Sequence, residues 1–312
     1  MLKSMRWGLL LLVAGVTLAG CGGSGGNDRG DLSERQINAV ATIGMIADVV
    51  GQVGGDRVKV TALMGSGVDP HLYKASEGDV STLEKADVVF YNGLHLEAQL
   101  GEVLEKMGER TKTVAVTDKI PRERLRTPPE FQGNPDPHVW FDVSLWKITA
   151  EQIRDTLSEL DATHKADYEQ RATAYLAELD ALDTYVKEQA ARVPAERRVL
   201  VTAHDAFGYF GQAYGFEVHG LQGISTASEA GTADVQALAD FIAAREVPAI
   251  FVESSVPPRT IEALQEAVRA RGFEVQIGGQ LFSDAMGDAG TPKGTYVGMV
   301  RHNIDTIVTA LV

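Results

Sequence analysis

"THKADYEQRATAYLAELDALDTYVKEQAARV", residues 163–193, contains neither glycine nor proline before Pro194. Its apolar residues Tyr168, Ala172, Tyr175, Leu179, Leu182 and Val186 recur every three or four positions, which puts them on one face of a helix. A single helix across residues 162–193 would run roughly 45 Å, more than the diameter of a small domain. It reads as a rigid strut joining two lobes. A long helix packed within one domain is the other arrangement this pattern allows.

On both sides of the strut, β-rich runs alternate with helical ones. Before it come "INAVATI", "GMIADVVGQVGG", "VKVTALM", "SEGDVSTLEKA", "DVVFYNG", "LEAQLGEVLEKMGE", "TVAVTD" and "VSLWKITAEQIRDTLSELD". After it come "RVLVTA", "HDAFGYFGQAYG", "TADVQALADFIAARE", "PAIFVES", "PPRTIEALQEAVRARG", "FEVQIGG" and "TYVGMVRHNIDTIVTALV". Strands separated by helices predict parallel sheets with right-handed crossovers. The expected fold is α/β: two lobes, each a mainly parallel sheet flanked by helices, at residues 37–161 and 194–312.

The first residues follow other rules. Lys3 and Arg6 precede the uncharged "WGLLLLVAGVTLA", which is too short to span a bilayer comfortably and reads as a secretory signal over residues 1–20. It ends in "LAGC", which resembles a bacterial lipobox with Cys21, the single cysteine of the chain, as the lipidated residue. The Gly/Ser-rich run that follows predicts a flexible tether over residues 21–36. The chain is then exported and lipid-anchored on the periplasmic or cell-surface side, and one cysteine leaves no disulfide to hold it.

Of the 312 residues, 44% are hydrophobic and 23% charged, as in an ordinary globular chain. A formal net charge of −14 lacks the basic stripe that nucleic-acid binding needs, and it tolerates cations.

In parallel sheets, ligands gather beyond the carboxyl ends of the strands. Four potential donors follow predicted strands: His71 in "VDPHLY", His138 in "NPDPHVWFD", His204 after "RVLVTA" and Asp284 in "LFSDAMG". Two belong to each lobe, and more than sixty residues separate each from the next, so no local metal motif exists. Three imidazoles and a carboxylate suit zinc, or manganese at lower intrinsic affinity. Each donor also has a plain structural reading. His71 and His138 could serve their Asp-Pro turns, His204 could start a helix, and Asp284 could cap one.

The ordered stretches "DPHLYKAS", "GLHLE", "DPHVWFD", "VTAHDAFGYFGQAYGFEV", "GLQGISTASEA", "IFVESSV" and "SDAMGDAGT" resemble the TroA/PsaA/ZnuA family, the cluster A-I solute-binding proteins of zinc and manganese ABC transporters. The resemblance runs from about residue 37 to the C-terminus and is strongest to TroA-like members. It implies one ion between two lobes, with His71, His138, His204 and Asp284 as ligands. It further implies a monomeric, non-enzymatic carrier with an ABC permease and a lipid membrane as partners. Manganese-oriented members carry glutamate at the third ligand, whereas imidazole at His204 favours zinc. Zinc-type members carry a His- and Asp-rich loop between the first two ligands, which this chain lacks.

Glu253, closing "PAIFVE", is a candidate acceptor for a ligand's imidazole N–H, and His95 in "NGLHLE" is a second supporting candidate. Trp140 and Phe141 are expected to pack beside His138. His164, His219 and His302 are not expected at the metal. Two rival functions remain at this stage. A secreted zinc hydrolase would need an open coordination position, and the chain has neither His-Glu-x-x-His nor Gly-x-Ser-x-Gly. A surface adhesin finds its local support in Arg29-Gly30-Asp31.

Overall fold

The computed structural model describes residues 30–131 and 133–312. The expected signal segment 1–20, Cys21 with its expected lipid attachment, and Arg29 lie outside the described residues. Chain order from the first strand is β1 (Ile37–Ala41), α1 (Gly44–Gly54), β2 (Val58–Ala62), α2 (Glu77–Glu84), β3 (Val88–Tyr91), α3 (Gly101–Gly108), β4 (Lys112–Ala115) and α4 (Val143–Leu160). Next comes the long helix α5 (Lys165–Ala191). It is followed by β5 (Val199–His204), α6 (Gly208–Tyr214), β6 (Glu217–Gln222), α7 (Thr232–Arg245), β7 (Ala249–Glu253), α8 (Arg259–Arg269), β8 (Gln276–Leu281) and α9 (Tyr296–Leu311).

Every strand pairing is parallel among the described residues. The four strands before α5 form one sheet in the order β2-β1-β3-β4. The four after it form two ladders, β5-β6 and β7-β8, with β5 packed beside β7. Alternation along these strands explains their two covered faces. Val199, Val201 and Ala203 enter a core cluster with Ile242, Leu264 and Val268 of α7 and α8. Leu200 and Phe251 point into the other cluster, which continues through α5 and α9 to the first sheet.

Helix α5 buries Tyr168, Ala172, Tyr175, Leu179, Leu182, Val186 and Ala190. That face packs against α1 and α4 from the preceding half and α9 from the following half. At 27 residues the helix is about 40 Å long. It is a packed spine common to both halves, and residues 32–312 group as one compact unit.

Two local differences from the sequence reading have clear causes. Residues 32–36 do not belong to the tether. The Arg57 guanidinium donates to the carbonyls of Leu32, Ser33 and Arg35, and Arg35 forms a two-point ion pair with Asp87. His204 does not start a helix either: it is the last residue of β5, and α6 begins at Gly208.

Candidate metal centre

The two Asp-Pro-His stretches build the same turn. Proline supplies a fixed φ and no N–H, so the aspartate can bond the backbone two residues on. Asp69 Oδ1 accepts the His71 N–H at 2.9 Å, and Asp136 Oδ1 accepts the His138 N–H at 3.0 Å. The second turn does more. Asp136 Oδ1 also lies 2.8 Å from His138 Nδ1. Since a carboxylate only accepts, Nδ1 carries the hydrogen and Nε2 points to the centre.

His204 receives the same treatment from the other half. Glu253, the last residue of β7, accepts its backbone N–H at 2.8 Å through Oε1, and Glu253 Oε2 lies 2.5 Å from Nδ1. Asp284 follows β8 by three residues. All four donors and both orienting carboxylates therefore lie in the loops or last positions at strand carboxyl ends.

One donor atom from each of His71, His138, His204 and Asp284 lies within 4.8 Å of every other, and all four residues are buried. His71 Nε2 is 3.3 Å from His138 Nε2. Asp284 places Oδ1 3.3 Å from His138 Nε2 and Oδ2 3.2 Å from His204 Nε2. Yet His204 Nε2 and both Asp284 oxygens have no partner with hydrogen-bond geometry. Buried polar atoms are seldom left so. These face a common point, and the set of three imidazoles and one carboxylate fits a divalent ion there.

The charges agree. Burial pushes His71 down to about 3, against the pull of Asp284, and keeps it neutral. Burial opposes charge on His138 as well, but the hydrogen bond to Asp136 and the negative charges of Asp284 and Asp136 outweigh it and raise the group to about 9. His204 is likewise raised well above its ordinary value, because Glu253 and Asp284 overcome its burial. Asp284 is held well below the usual carboxylate range: burial opposes this, and the neighbouring His204 and His138 prevail. In the metal-free chain, protons on imidazoles supply the positive charge that an ion would bring.

A polar scaffold that sequence reading missed holds the second turn. Arg126 Nη1 donates to Asp136 Oδ2 at 2.8 Å, and the Tyr209 hydroxyl donates to the Asp136 carbonyl at 2.9 Å. Gly208 makes room for this arginine, since a Cβ there would fall 1.0 Å from Arg126 Nη1. Asn92 Nδ2 donates to the Pro137 carbonyl at 3.0 Å. Buried Glu97 in turn accepts from Asn92 N–H and the Thr42 hydroxyl. The sequence itself offers only an asparagine and a glutamate close behind the strand-like "DVVFY" as a signal.

His95 is not the supporting residue of that loop. It is exposed, in a left-handed turn with φ 67°, and Glu97 takes the buried position. His164 pairs with Asp161, His219 with Glu217, and His302 meets the Gln280 carbonyl, all apart from the four donors. Trp140 is buried edge-on to His138 with ring centroids 5.2 Å apart, and Phe141 stacks on Phe207 at 4.2 Å. Trp140 thus packs against one of the four donors.

The family model "Zinc-uptake complex component A periplasmic", ZnuA, matches residues 39–310. The "Zinc-binding protein TroA" of Treponema pallidum (strain Nichols) is 57% identical over 272 residues, covering 87% of this chain and 88% of that protein. The "Manganese-binding lipoprotein MntA" of Bacillus subtilis (strain 168) is 47% identical over 310 residues, covering 98% of this chain and all of that one. The solved structure of the periplasmic zinc-binding protein TroA from Treponema pallidum superposes with a TM-score of 0.87 at 56% identity, covering 89% of this chain and 99% of that chain.

Proposed function

Because the chain belongs to the ZnuA family of metal-binding ABC-transporter components, we propose that it captures zinc or manganese as cargo and delivers it to a membrane permease. The observation that carries this reading is the convergence of His71, His138, His204 and Asp284 from four separate chain segments onto one buried point. Two of the donors precede α5 and two follow it. A cation therefore stabilises the arrangement in which the two halves are together, and release requires them to part.

We assign the ion to these four residues, with Asp136 and Glu253 fixing the imidazoles of His138 and His204. Three imidazoles favour zinc over manganese by intrinsic affinity. Names of relatives include both a zinc-binding and a manganese-binding protein, so supply in the cell decides between them. Asp136 and Glu253, the carboxylates that face the Nδ1 atoms of His138 and His204, are committed to histidine and arginine partners. That commitment supports capture rather than hydrolysis, because none of them is poised as a general base.

The lobes in this reading are residues 37–161 and 194–312, with 162–193 as the connecting spine. Export through the 1–20 segment, lipid attachment at Cys21 and action as a monomer complete it. The lipoprotein name of the Bacillus subtilis relative supports the anchor. Among the described residues no helix is long and apolar enough to cross a membrane.

Uptake of radioactive zinc and manganese by cells lacking this chain tests the proposal. Restoring the parent chain should restore uptake of at least one metal, and Asp284→Ala should not. Equal restoration by both chains would refute it.

A further inference from the structure

A hydrogen bond outside the donor set also ties the two halves together. Asp69 uses Oδ1 for the backbone N–H of His71 and Oδ2 for the hydroxyl of Thr226, 2.5 Å away. Thr226 is buried in the segment 223–231 between β6 and α7, 157 residues along the chain. That segment continues from Gln222, whose register partner is His204. One carboxylate is thus shared between a ligand-bearing turn from before α5 and a loop from after it.

His138 and His204 each have a carboxylate on Nδ1, whereas Asp69 sets His71 through its backbone. A second bridge, Ser66 Oγ to Asp288 Oδ1 at 2.6 Å, spans the same halves, but both residues are exposed. Water replaces an exposed hydrogen bond at little cost. A buried hydroxyl bonded to a half-buried carboxylate is not replaced so easily.

From this shared carboxylate we infer that Thr226 is a positioning residue for His71: its hydroxyl holds Asp69, and through it the His71 turn, so that metal escapes slowly. The inference rests on the four donors being the cargo site. It deepens that reading by assigning control of the release rate to a residue that never touches the ion. Val at this position keeps the shape and removes the hydroxyl. Ser keeps the hydroxyl and removes a methyl.

The test uses the full chain loaded with zinc and mixed rapidly with excess chromophoric chelator. Thr226→Val should release zinc about tenfold faster than the parent, as expected for loss of one partly buried hydrogen bond to a charged group. Thr226→Ser and Ser66→Ala should stay within about twofold of the parent. Melting of the metal-free variants checks that the fold is intact, and Thr226→Ala replaces the valine variant if valine disturbs it. The proposal is overturned by parent-like release from Thr226→Val, by equally fast release from Thr226→Ser, or by an equal acceleration in Ser66→Ala. A parent chain that takes up no zinc would overturn the site reading and this inference with it.

Discussion

Glu253 grips His204 at two points, accepting its backbone N–H at 2.8 Å and facing its Nδ1 at 2.5 Å. The last residue of one strand thereby fixes both the position and the ring orientation of the last residue of another. Carboxylates that hold a ligand's second nitrogen typically matter to metal affinity by about 10–100-fold. Glu253→Gln should weaken zinc binding in that range while the chain still folds. Competition titration against a chromophoric chelator measures it, and parent-like affinity would contradict this role for Glu253.

Metal uptake should compete with protons. His138 is raised to about 9 because the hydrogen bond to Asp136 and the negative charges of Asp284 and Asp136 outweigh its burial. At neutral pH zinc must displace that proton, so affinity should rise with pH up to about 9. Calorimetry in two buffers of different ionisation heat would detect the proton release.

The stability of the metal-free chain follows the same groups. A raised folded-state value means that protonated His138 contributes stability fully below its unfolded value of roughly 6.5. That contribution is lost as pH rises through about 9. His71 works in the opposite direction, since burial lowers it to about 3. Its contribution is present above roughly 6.5 and is lost as pH falls toward its folded value. Thermal melting with chelator present, followed between acid and alkaline pH, should fall off on both sides.

Gly220 is a packing requirement of the His204 strand. A Cβ at Gly220 would lie 2.3 Å from the Asp205 backbone nitrogen and 2.6 Å from the His204 carbonyl carbon. Because backbone must move, Gly220→Ala should destabilise the chain by about 1–3 kcal/mol and loosen zinc binding. Gly208→Ala meets the flexible end of Arg126 instead, so it should displace that guanidinium from Asp136 at smaller cost to the fold. Melting temperature and zinc affinity, read together on the two variants, separate these effects.

Much of this architecture is legible in the residues themselves. The α5 stripe from Tyr168 to Val186 is buried at the positions its spacing marks, because a long helix must hide its apolar face. Strand β6 was not legible: "EVHGLQ" contains a glycine and a histidine, and its first four residues are exposed or half-buried. Its place comes from parallel pairing with β5, a tertiary contact. The four donors could be picked out by their place after strands, but chemistry alone left each with a structural alternative. Asn92 and Tyr209 were hidden because their partners Pro137 and Asp136 lie 45 and 73 residues away, and Arg126 and Glu97 because their nearer partners follow no helical or strand spacing. His95 misled because its type suggested a role that its exposed left-handed turn does not allow.

Zinc titration of the metal-free parent and of the four single variants His71→Ala, His138→Ala, His204→Ala and Asp284→Ala tests the central claim most directly. The expected result is one tightly held ion per parent chain, and for every variant an affinity lower by at least about a hundredfold. Undiminished, stoichiometric binding in any one of the four would contradict the four-donor centre.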